Sequence, residues 1–203
     1  MSLKEKLREI LSFVVRKRED MLLCKDLTVV SGLKSSGRLE VVPMHVGHLK
    51  ELVEFIQEHH RETARSLRML DDCFRNRYEG RVALLNGSII GYRWWVTSAI
   101  PHPQLKLYGV SLLDDEVYAF GLYIARAFRA QGYAGEFLAL TQKQLVDMGF
   151  KRLYNAVATS NVPSRRLYQT FGSKELGLRV SRSFFSTITF CDGRWLRYNP
   201  VWM

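Results

Sequence analysis

The stretch VYAFGLYIARAFRAQGYA, residues 117–134, decides the fold of this 203-residue chain. Its first eight residues are apolar and aromatic, which predicts a buried β-strand over 117–124. The small residues that follow predict a turn, and a helix is expected over about 132–148. A strand that passes through such a turn into a helix directs several backbone N–H groups outward at the helix start. The segment therefore predicts an anion-binding turn.

A pyrophosphate group suits this turn. Amides at a helix N-terminus act together with the positive end of the helix dipole to bind anions. Gly132 and Ala134 remove side chains that would block the pyrophosphate, and Arg129 and Gln131 add polar donors beside it. Taken alone, the turn is equally compatible with an ordinary strand-to-helix connection.

A second motif follows one helix and one strand later. Residues 160–172 predict a helix that begins at Asn161 and ends at Gly172. Ser164 and Tyr168 are four residues apart, which places both on one face of that helix. A tyrosine at such a position would by itself indicate core packing. The second motif therefore indicates a functional site only in combination with the first.

Together the two motifs resemble the GNAT superfamily of acyl-CoA-dependent N-acyltransferases. The first matches the family's R/Q-x-x-G-x-G/A pyrophosphate loop, and the second its N-x-x-A/S-x-x-x-Y-x-x-x-G-F pattern, with Ser173 where the family often has Phe. The resemblance spans about residues 39–203 and is most specific over 117–172. The matching residues are Arg129, Gln131, Gly132 and Ala134, with Ala130 and Tyr133 in variable positions, and then Asn161, Ser164, Tyr168 and Gly172.

The resemblance implies an α/β (α+β) fold, with a mixed, strongly twisted sheet flanked by helices. Strands over 116–124 and 152–158 would splay apart, and the acyl-CoA would lie in the gap. Acetyl-CoA is then the expected co-substrate, with no metal ion. The family's reaction is a direct attack by an amine on the thioester in a ternary complex, and the partners are accordingly an acyl-CoA and an amine-bearing acceptor.

The resemblance also implies roles for single residues. Main-chain groups of Leu122, Tyr123 and Ile124 would pair with the pantetheine arm and help to polarise the thioester carbonyl. Tyr168 would be the general acid that protonates the departing CoA thiolate, because a phenol with a pKa of about 10 can donate to a thiolate whose acid has a pKa of about 8.5. Asn161 would orient the pantetheine.

The sequence leaves the base for the amine proton open. Several relatives carry a catalytic Glu at the position that Tyr118 occupies here, and Glu116 lies two residues earlier on the same strand face. Either Glu116 or a relay through water and Tyr118 could take the proton, while Asp115 and Glu116 equally suit solvated charges at a strand start. Residues near the expected acceptor site are Tyr92, Trp94, Trp95, Arg61, Arg65 and Arg68, with core packing expected for either tryptophan.

The chain is predicted to divide at residue 38. Residues 1–38 predict an N-terminal segment with an amphipathic helix over 3–18, a strand over 21–30 and a turn-rich linker over 31–38. Residues 39–203 form the predicted acyltransferase domain. Its other elements are a strand at 39–43, helices at 45–59 and 64–77, strands at 81–85 and 89–97 around Asn86-Gly87, a loop at 100–104, a strand at 152–158, and closing strands with a hairpin at Asp192-Gly193.

Composition limits the remaining function classes. Thirty Lys and Arg against 20 Asp and Glu give a charge of +10, which favours anionic partners such as phosphate-bearing cofactors or nucleic acid. Three scattered cysteines indicate neither a disulfide framework nor a zinc site, and they suit a cytoplasmic setting. No apolar run is long enough for a signal peptide or a membrane span.

Three alternatives stay open at this point. The donor could be a longer acyl-CoA. The chain could instead be a non-catalytic module that binds CoA or nucleic acid, although it carries no recognised nucleic-acid motif. The amphipathic face of the N-terminal helix could pack on a second subunit and form a homodimer, since such a face needs an apolar partner.

Overall fold

The computed structural model of the chain describes residues 15–29, 37–184, 188–191 and 194–197. These residues form one mixed sheet of nine strands, in the order β2-β3-β4-β5-β6-β1-β7-β8-β9. The strands are β1 (Val15–Asp26), β2 (Glu40–Pro43), β3 (Glu79–Leu85), β4 (Ser88–Val96), β5 (Glu116–Ile124), β6 (Arg152–Ala158), β7 (Lys174–Phe184), β8 (Ile188–Cys191) and β9 (Arg194–Arg197). The expected mixed sheet is confirmed.

Helices cover both faces of the sheet. They are α1 (Leu49–His59), α2 (Thr63–Arg75), α3 (Pro103–Tyr108), α4 (Tyr133–Asp147) and α5 (Val162–Thr170). Apolar residues of α1, α2 and α3 share a core with β4 and β5 residues such as Tyr92 and Tyr118. Residues of α4 and α5 pack on the opposite face, where Leu138 and Tyr168 meet Leu23 and Val157. We call these the α1–α3 face and the α4–α5 face.

β5 and β6 diverge halfway along their length. They pair in parallel from Glu116↔Arg152 to Ala119↔Asn155, and the ladder ends there. Against β4, strand β5 carries one extra residue between its Trp94↔Phe120 and Tyr92↔Tyr123 pairs. The bulge is formed at Gly121, whose φ of 63° lies in the left-handed region that favours glycine. Such a bulge bends and twists the strand, so β5 turns away from β6 at this point.

The N-terminal strand lies inside the sheet. β1 pairs antiparallel with β6 on one side and β7 on the other. Leu22 packs with Tyr108 on one face and Leu23 with Leu138 on the other, so β1 is apolar toward both layers. The predicted helix over 3–18 is therefore wrong for 15–18, which are strand, and its residues 3–14 lie outside the described residues. The domain boundary at residue 38 stays a prediction.

Local turn and cap signals set most other element ends. Asn86 and Gly87 have φ values of 53° and 80°, so the predicted β3–β4 hairpin forms with the expected turn residues. β6 covers the predicted residues 152–158. The loop prediction over 100–104 is wrong at its end, because α3 begins at Pro103, with the His102 ring accepting from the Gln104 N–H at 3.1 Å. The Asp192-Gly193 turn lies outside the described residues, although β8 and β9 pair antiparallel around it.

Candidate active site

The predicted anion turn is bounded by a short 3₁₀ helix, Arg126–Phe128, and the start of α4; we call residues 126–134 the donor turn. Ala130 and Gly132 both have positive φ, at 60° and 86°. The first α4 amide to donate along the helix is that of Glu136, to the Gly132 carbonyl at 3.0 Å. The amides of 133–135 precede it and have no carbonyl available one turn back within α4. The turn therefore presents amides at a helix N-terminus.

Side chains brace the donor turn from within. Arg129 Nε donates to the Ile124 carbonyl at 2.9 Å, and Gln131 Nε2 donates to the Ala127 carbonyl at 2.7 Å. Both predicted donors thus bind main-chain carbonyls in this structure, and their contact with a pyrophosphate stays a prediction. Tyr133 is buried and packs edge-on against Phe128.

Arg38 adds a positive charge that the motif did not include. Its Nη2 donates to the Gln131 carbonyl at 3.3 Å, and its guanidinium lies 4.7 Å from the centre of the Tyr133 ring. It also faces Glu136, with Nε to Oε2 at 3.9 Å. A Cβ at Gly132 would lie 3.6 Å from Arg38 Nη2. Arg38 belongs to the predicted linker, so no local pattern connects it with the donor turn.

The gap beside β5 is the second part of the site. Tyr123 and Ile124 pair with β4, at Tyr92 and Gly91, while the β5–β6 ladder stops at Ala119. Over 120–124 the β6-facing edge of β5 therefore carries no ladder pairs within the described residues. We call this gap the opening. The pantetheine role of the Leu122, Tyr123 and Ile124 main chain stays a prediction that this geometry suits.

The second motif lies next to the opening. Asn161 caps α5, with its Oδ1 accepting from the Ser164 N–H at 3.3 Å. Tyr168 is 4% exposed and shares a buried cluster with Leu138, against which Leu122, at the opening, packs. Burial raises the pKa of the Tyr168 hydroxyl, and the Arg93 guanidinium, 5.9 Å from its ring centre, lowers that pKa. The hydroxyl is therefore protonated at neutral pH, as a general acid must be.

Glu116 is not brought together with Tyr168. Its carboxylate accepts from Arg152 Nη1 at 2.6 Å and from the Tyr154 hydroxyl at 3.2 Å, as well as from the Leu113 N–H at 3.0 Å. Leu122, which packs against the cluster that contains Tyr168, lies six residues further along β5, or about 20 Å at 3.3 Å per residue. These contacts favour a structural role for Glu116 over the predicted catalytic one.

A cleft of about 340 Å³ lies on the α1–α3 face at the opening. Phe120 and Gly121 line it from β5, opposite Ala156 of β6. The remaining lining residues are Arg18, His60, Glu62, Arg65, Ser66, Met69, His102, Gln104 and Tyr118. We call this the acceptor cleft, after the acceptor site that the sequence predicts; it adjoins the opening on the face of the sheet that carries α1, α2 and α3.

Two neutral imidazoles line the acceptor cleft. Burial lowers the pKa of His60 to about 4 and that of His102 to about 3. His60 stacks on Tyr123 with ring centres 3.7 Å apart, and its Nδ1 lies 2.9 Å from Ser66 Oγ. Because neither ring is protonated at neutral pH, the histidines add no positive charge to the cleft.

The charged groups of the cleft occur as pairs. Arg65 donates to Glu62 at 2.7 Å, and Arg18 donates to the buried carboxylate of Asp20 at 2.7 Å. Asp20 also accepts from the Tyr108 hydroxyl at 2.6 Å, and Tyr108 accepts from Gln104. The Tyr118 hydroxyl completes this chain by donating to Gln104 Oε1 at 2.8 Å. Tyr118 is thereby held at the cleft.

The predicted acceptor residues have different positions. Arg65 lines the cleft, whereas Arg61 and Arg68 are exposed. Trp94 and Trp95 are both buried, on opposite faces of the sheet, as expected for core residues. Sequence reasoning missed Arg18, Ser66, His102 and Gln104, which come from separate segments and share no spacing. Among the described residues, no group of three or more His, Cys, Asp or Glu could hold a metal ion, and no helix there is long and apolar enough to cross a membrane.

Known proteins resemble this chain in sequence and in fold. The acetyltransferase (GNAT) family model matches residues 48–172, more than half of the chain. The chain belongs to this family. It is 30% identical over 94 residues to the uncharacterized N-acetyltransferase YycN of Bacillus subtilis, which covers 46% of this chain and 53% of that protein. It is 36% identical over 67 residues to the [ribosomal protein bS18]-alanine N-acetyltransferase of Haemophilus ducreyi, which covers 33% of this chain and 46% of that protein.

The chain thus spans about half the length of the curated relatives it matches. Among solved structures, the aminoglycoside N-acetyltransferase AAC(6′)-Iy in complex with CoA superposes with a TM-score of 0.52 at 16% identity. That match covers 72% of this chain and 93% of the other. At this identity the likeness supports the fold.

Proposed function

We propose that the protein transfers an acetyl group from acetyl-CoA to a primary amine by direct attack within a ternary complex. The observation that carries the proposal is the opening between β5 and β6, which has the start of α4 on one face of the sheet and the acceptor cleft on the other. A thioester held in the opening would be within reach of an amine in the cleft. The two substrates would then react without a covalent enzyme intermediate.

The donor turn would hold the pyrophosphate. Amides at the start of α4, from Gly132 to Ala134, would donate to its oxygens, with Arg129 and Gln131 keeping the turn in shape. Arg38 and the net charge of +10 favour the same anion. Main-chain groups of 122–124 would hold the pantetheine arm and bring the thioester to the opening.

The reaction would then proceed in one displacement. The amine nitrogen attacks the thioester carbonyl carbon, the C–S bond breaks, and its electron pair goes to sulfur. Tyr168 would give its hydroxyl proton to that sulfur, which its burial beside the opening supports. The proton of the amine would leave through water in the acceptor cleft beside Tyr118, since Glu116 is bound to Arg152.

The acceptor is proposed only as a primary amine on a small molecule, an amino sugar or a protein. Two relatives differ on this point: one is named for an alanine of a ribosomal protein and the other for aminoglycosides. Paired charges of both signs in the cleft suit a polar acceptor. A longer acyl-CoA is the alternative donor.

Thermal unfolding with candidate donors tests the proposal. A ligand at about a hundred times its Kd adds roughly 2.7 kcal/mol to the free energy of unfolding, which for a chain of this size raises Tm by several degrees. We expect acetyl-CoA and free CoA to raise Tm, and the acyl-CoA with the largest shift to identify the chain length. No shift with any of them would contradict the proposal, and salt-dependent nucleic-acid binding would be tested next.

A further inference from the structure

Arg93 is a buried cation whose position the proposed reaction does not explain. It lies in the middle of β4 and is 0% exposed. Its Nη1 donates to Thr141 Oγ1 at 3.0 Å and its Nη2 to Asn155 Oδ1 at 2.8 Å. The Nε has no hydrogen-bond partner, and no ion pair within the described part of the chain includes this guanidinium. The charge is therefore bound by neutral groups alone.

The guanidinium lies where the opening begins. Asn155, which accepts from Arg93, is the β6 residue of the last β5–β6 pair. Along β4, Arg93 lies between Tyr92 and Trp94, opposite the bulge of β5. Its side chain therefore crosses β5 on the α4–α5 face and reaches the last β6 residue before the two strands separate.

An uncompensated charge at this depth is costly. Removing a cation from water is unfavourable even after the protein relaxes, and arginine does not avoid this cost by losing its proton. Neutral hydrogen bonds offset part of this penalty, and an anion brought to the same place would offset more. In the proposed reaction, the anion that forms near the opening is the thiolate of CoA.

We propose that Arg93 stabilises the thiolate of the departing CoA at the opening, next to the Tyr168 hydroxyl. This inference rests on the proposed function and adds a residue that the two motifs do not contain. As the C–S bond breaks, the electron pair goes to sulfur, and the guanidinium offsets the developing charge until the Tyr168 proton transfers. The amine proton leaves separately through the acceptor cleft.

The surroundings of Arg93 leave few other groups that could titrate in its place. From α4 it faces Thr141, from β6 Asn155 and from α5 Tyr168, and only the last of these ionises. Leu23 of β1 belongs to the same apolar cluster as Tyr168. Of the groups that contact Arg93, Tyr168 is therefore the only one whose own ionisation could also change the pKa of the bound CoA thiol.

Comparing CoA with desulfo-CoA tests the proposal. The two ligands differ in the thiol, so the ratio of their Kd values isolates its contribution. At pH 9 we expect the wild type to bind CoA more tightly than desulfo-CoA. Arg93→Gln should reduce this preference about tenfold, which corresponds to a change of one unit in the pKa of the bound thiol. Arg93→Lys should retain most of the preference. Arg81→Gln, on the neighbouring β3, is the matched control and should keep the wild-type ratio. Equal losses for both ligands, or an unchanged ratio in Arg93→Gln, would overturn the proposal.

A measurement on the wild type protects the test against misfolding of Arg93→Gln. The ultraviolet absorbance of the thiolate reports the pKa of the bound CoA thiol, which we expect to lie about one unit below that of free CoA. An equal or higher pKa would overturn the role of Arg93. Failure of the proposed function has a different signature, because the wild type would then bind neither CoA nor desulfo-CoA.

Discussion

The two faces of the sheet form their halves of the site in different ways. On the α4–α5 face, the donor turn and α5 come from two short, continuous motifs, whose backbone is set by positive φ at Gly132 and by the Asn161 cap. On the α1–α3 face, the acceptor cleft takes its side chains from five separate stretches of the chain between Arg18 and Ala156. A ligand bound mainly through backbone geometry leaves a local signature, whereas one bound through scattered side chains does not. Substitutions on the two faces should therefore have separable effects.

The largest effect is expected at the donor turn. Gly132→Asp places bulk and negative charge beside the pyrophosphate and strains a residue whose φ is 86°. We expect acetyl-CoA affinity to fall by more than about a hundredfold, since a repulsive charge adds to the loss of backbone contacts. The matched control is Gly149→Asp, because Gly149 has a φ of 91° and open space around it. Calorimetric titration showing equal losses in both variants would contradict the assignment of the turn.

Tyr168→Phe should change turnover without changing donor affinity. Loss of a general acid lowers kcat by about a hundredfold, while the ring keeps its packing against Leu138 and Val157. Steady-state kinetics across pH 6–10, together with acetyl-CoA titration, checks this. If kcat matched the wild type at every pH, Tyr168 would not be the acid.

A substitution in the acceptor cleft should weaken binding of the amine and leave binding of acetyl-CoA unchanged. Ser66→Leu fills space beside His60, so the KM for the amine should rise about tenfold, and the Kd for acetyl-CoA should stay the same. Ala64→Leu introduces the same side chain on the exposed side of α2 and is the control. Should Ser66→Leu weaken acetyl-CoA binding instead, the cleft would be part of the donor site and the comparison of the two faces would fail.

Glu116→Gln distinguishes a structural role of Glu116 from a role as the catalytic base. The substitution removes the charge that binds Arg152 at 2.6 Å, so the free energy of unfolding should drop by about 1–3 kcal/mol. Because the carboxylate lies far from the opening, kcat should stay within about twofold of the wild type across pH. A lost acidic limb in the pH profile of kcat would instead restore Glu116 as the base.

The smallest effect concerns acid stability of the acceptor face. The pKa of His60 is about 4 in the folded chain and about 6.5 when unfolded, so below pH 6.5 the unfolded state binds more protons. Folding stability is then complete above pH 6.5 and is lost as pH falls toward 4, by about 1–2 kcal/mol at pH 5. Denaturation of the wild type and His60→Gln between pH 7 and 5 checks this: the variant should lose less stability, and equal losses would show that His60 titrates normally.

Much of the donor side could be predicted from the sequence, because its signals are local. The run of 117–124, the small residues of the turn, and the Asn161 cap act over a few residues, and the structure has β5, α4 and α5 where they indicate. Arg93 was within reach of the same reasoning, since an arginine amid the apolar run of β4 is a visible exception. The sequence predicts a loop over 100–104, which contains Pro101 and Pro103, but Pro103 also suits a first helical turn and α3 begins there.

The sequence by itself determined the alternation of elements, the hairpin at Asn86-Gly87 and the backbone chemistry of the donor turn. Only the tertiary structure decided that β1 lies between β6 and β7, that Glu116 pairs with Arg152, and that Arg93 reaches Tyr168. The physical reason is the distance along the chain over which the residues interact. Turns, caps and strand patterns follow from the conformational preferences of neighbouring residues, whereas sheet order, the acceptor cleft and buried charges depend on contacts between residues far apart in the chain, which no local spacing encodes.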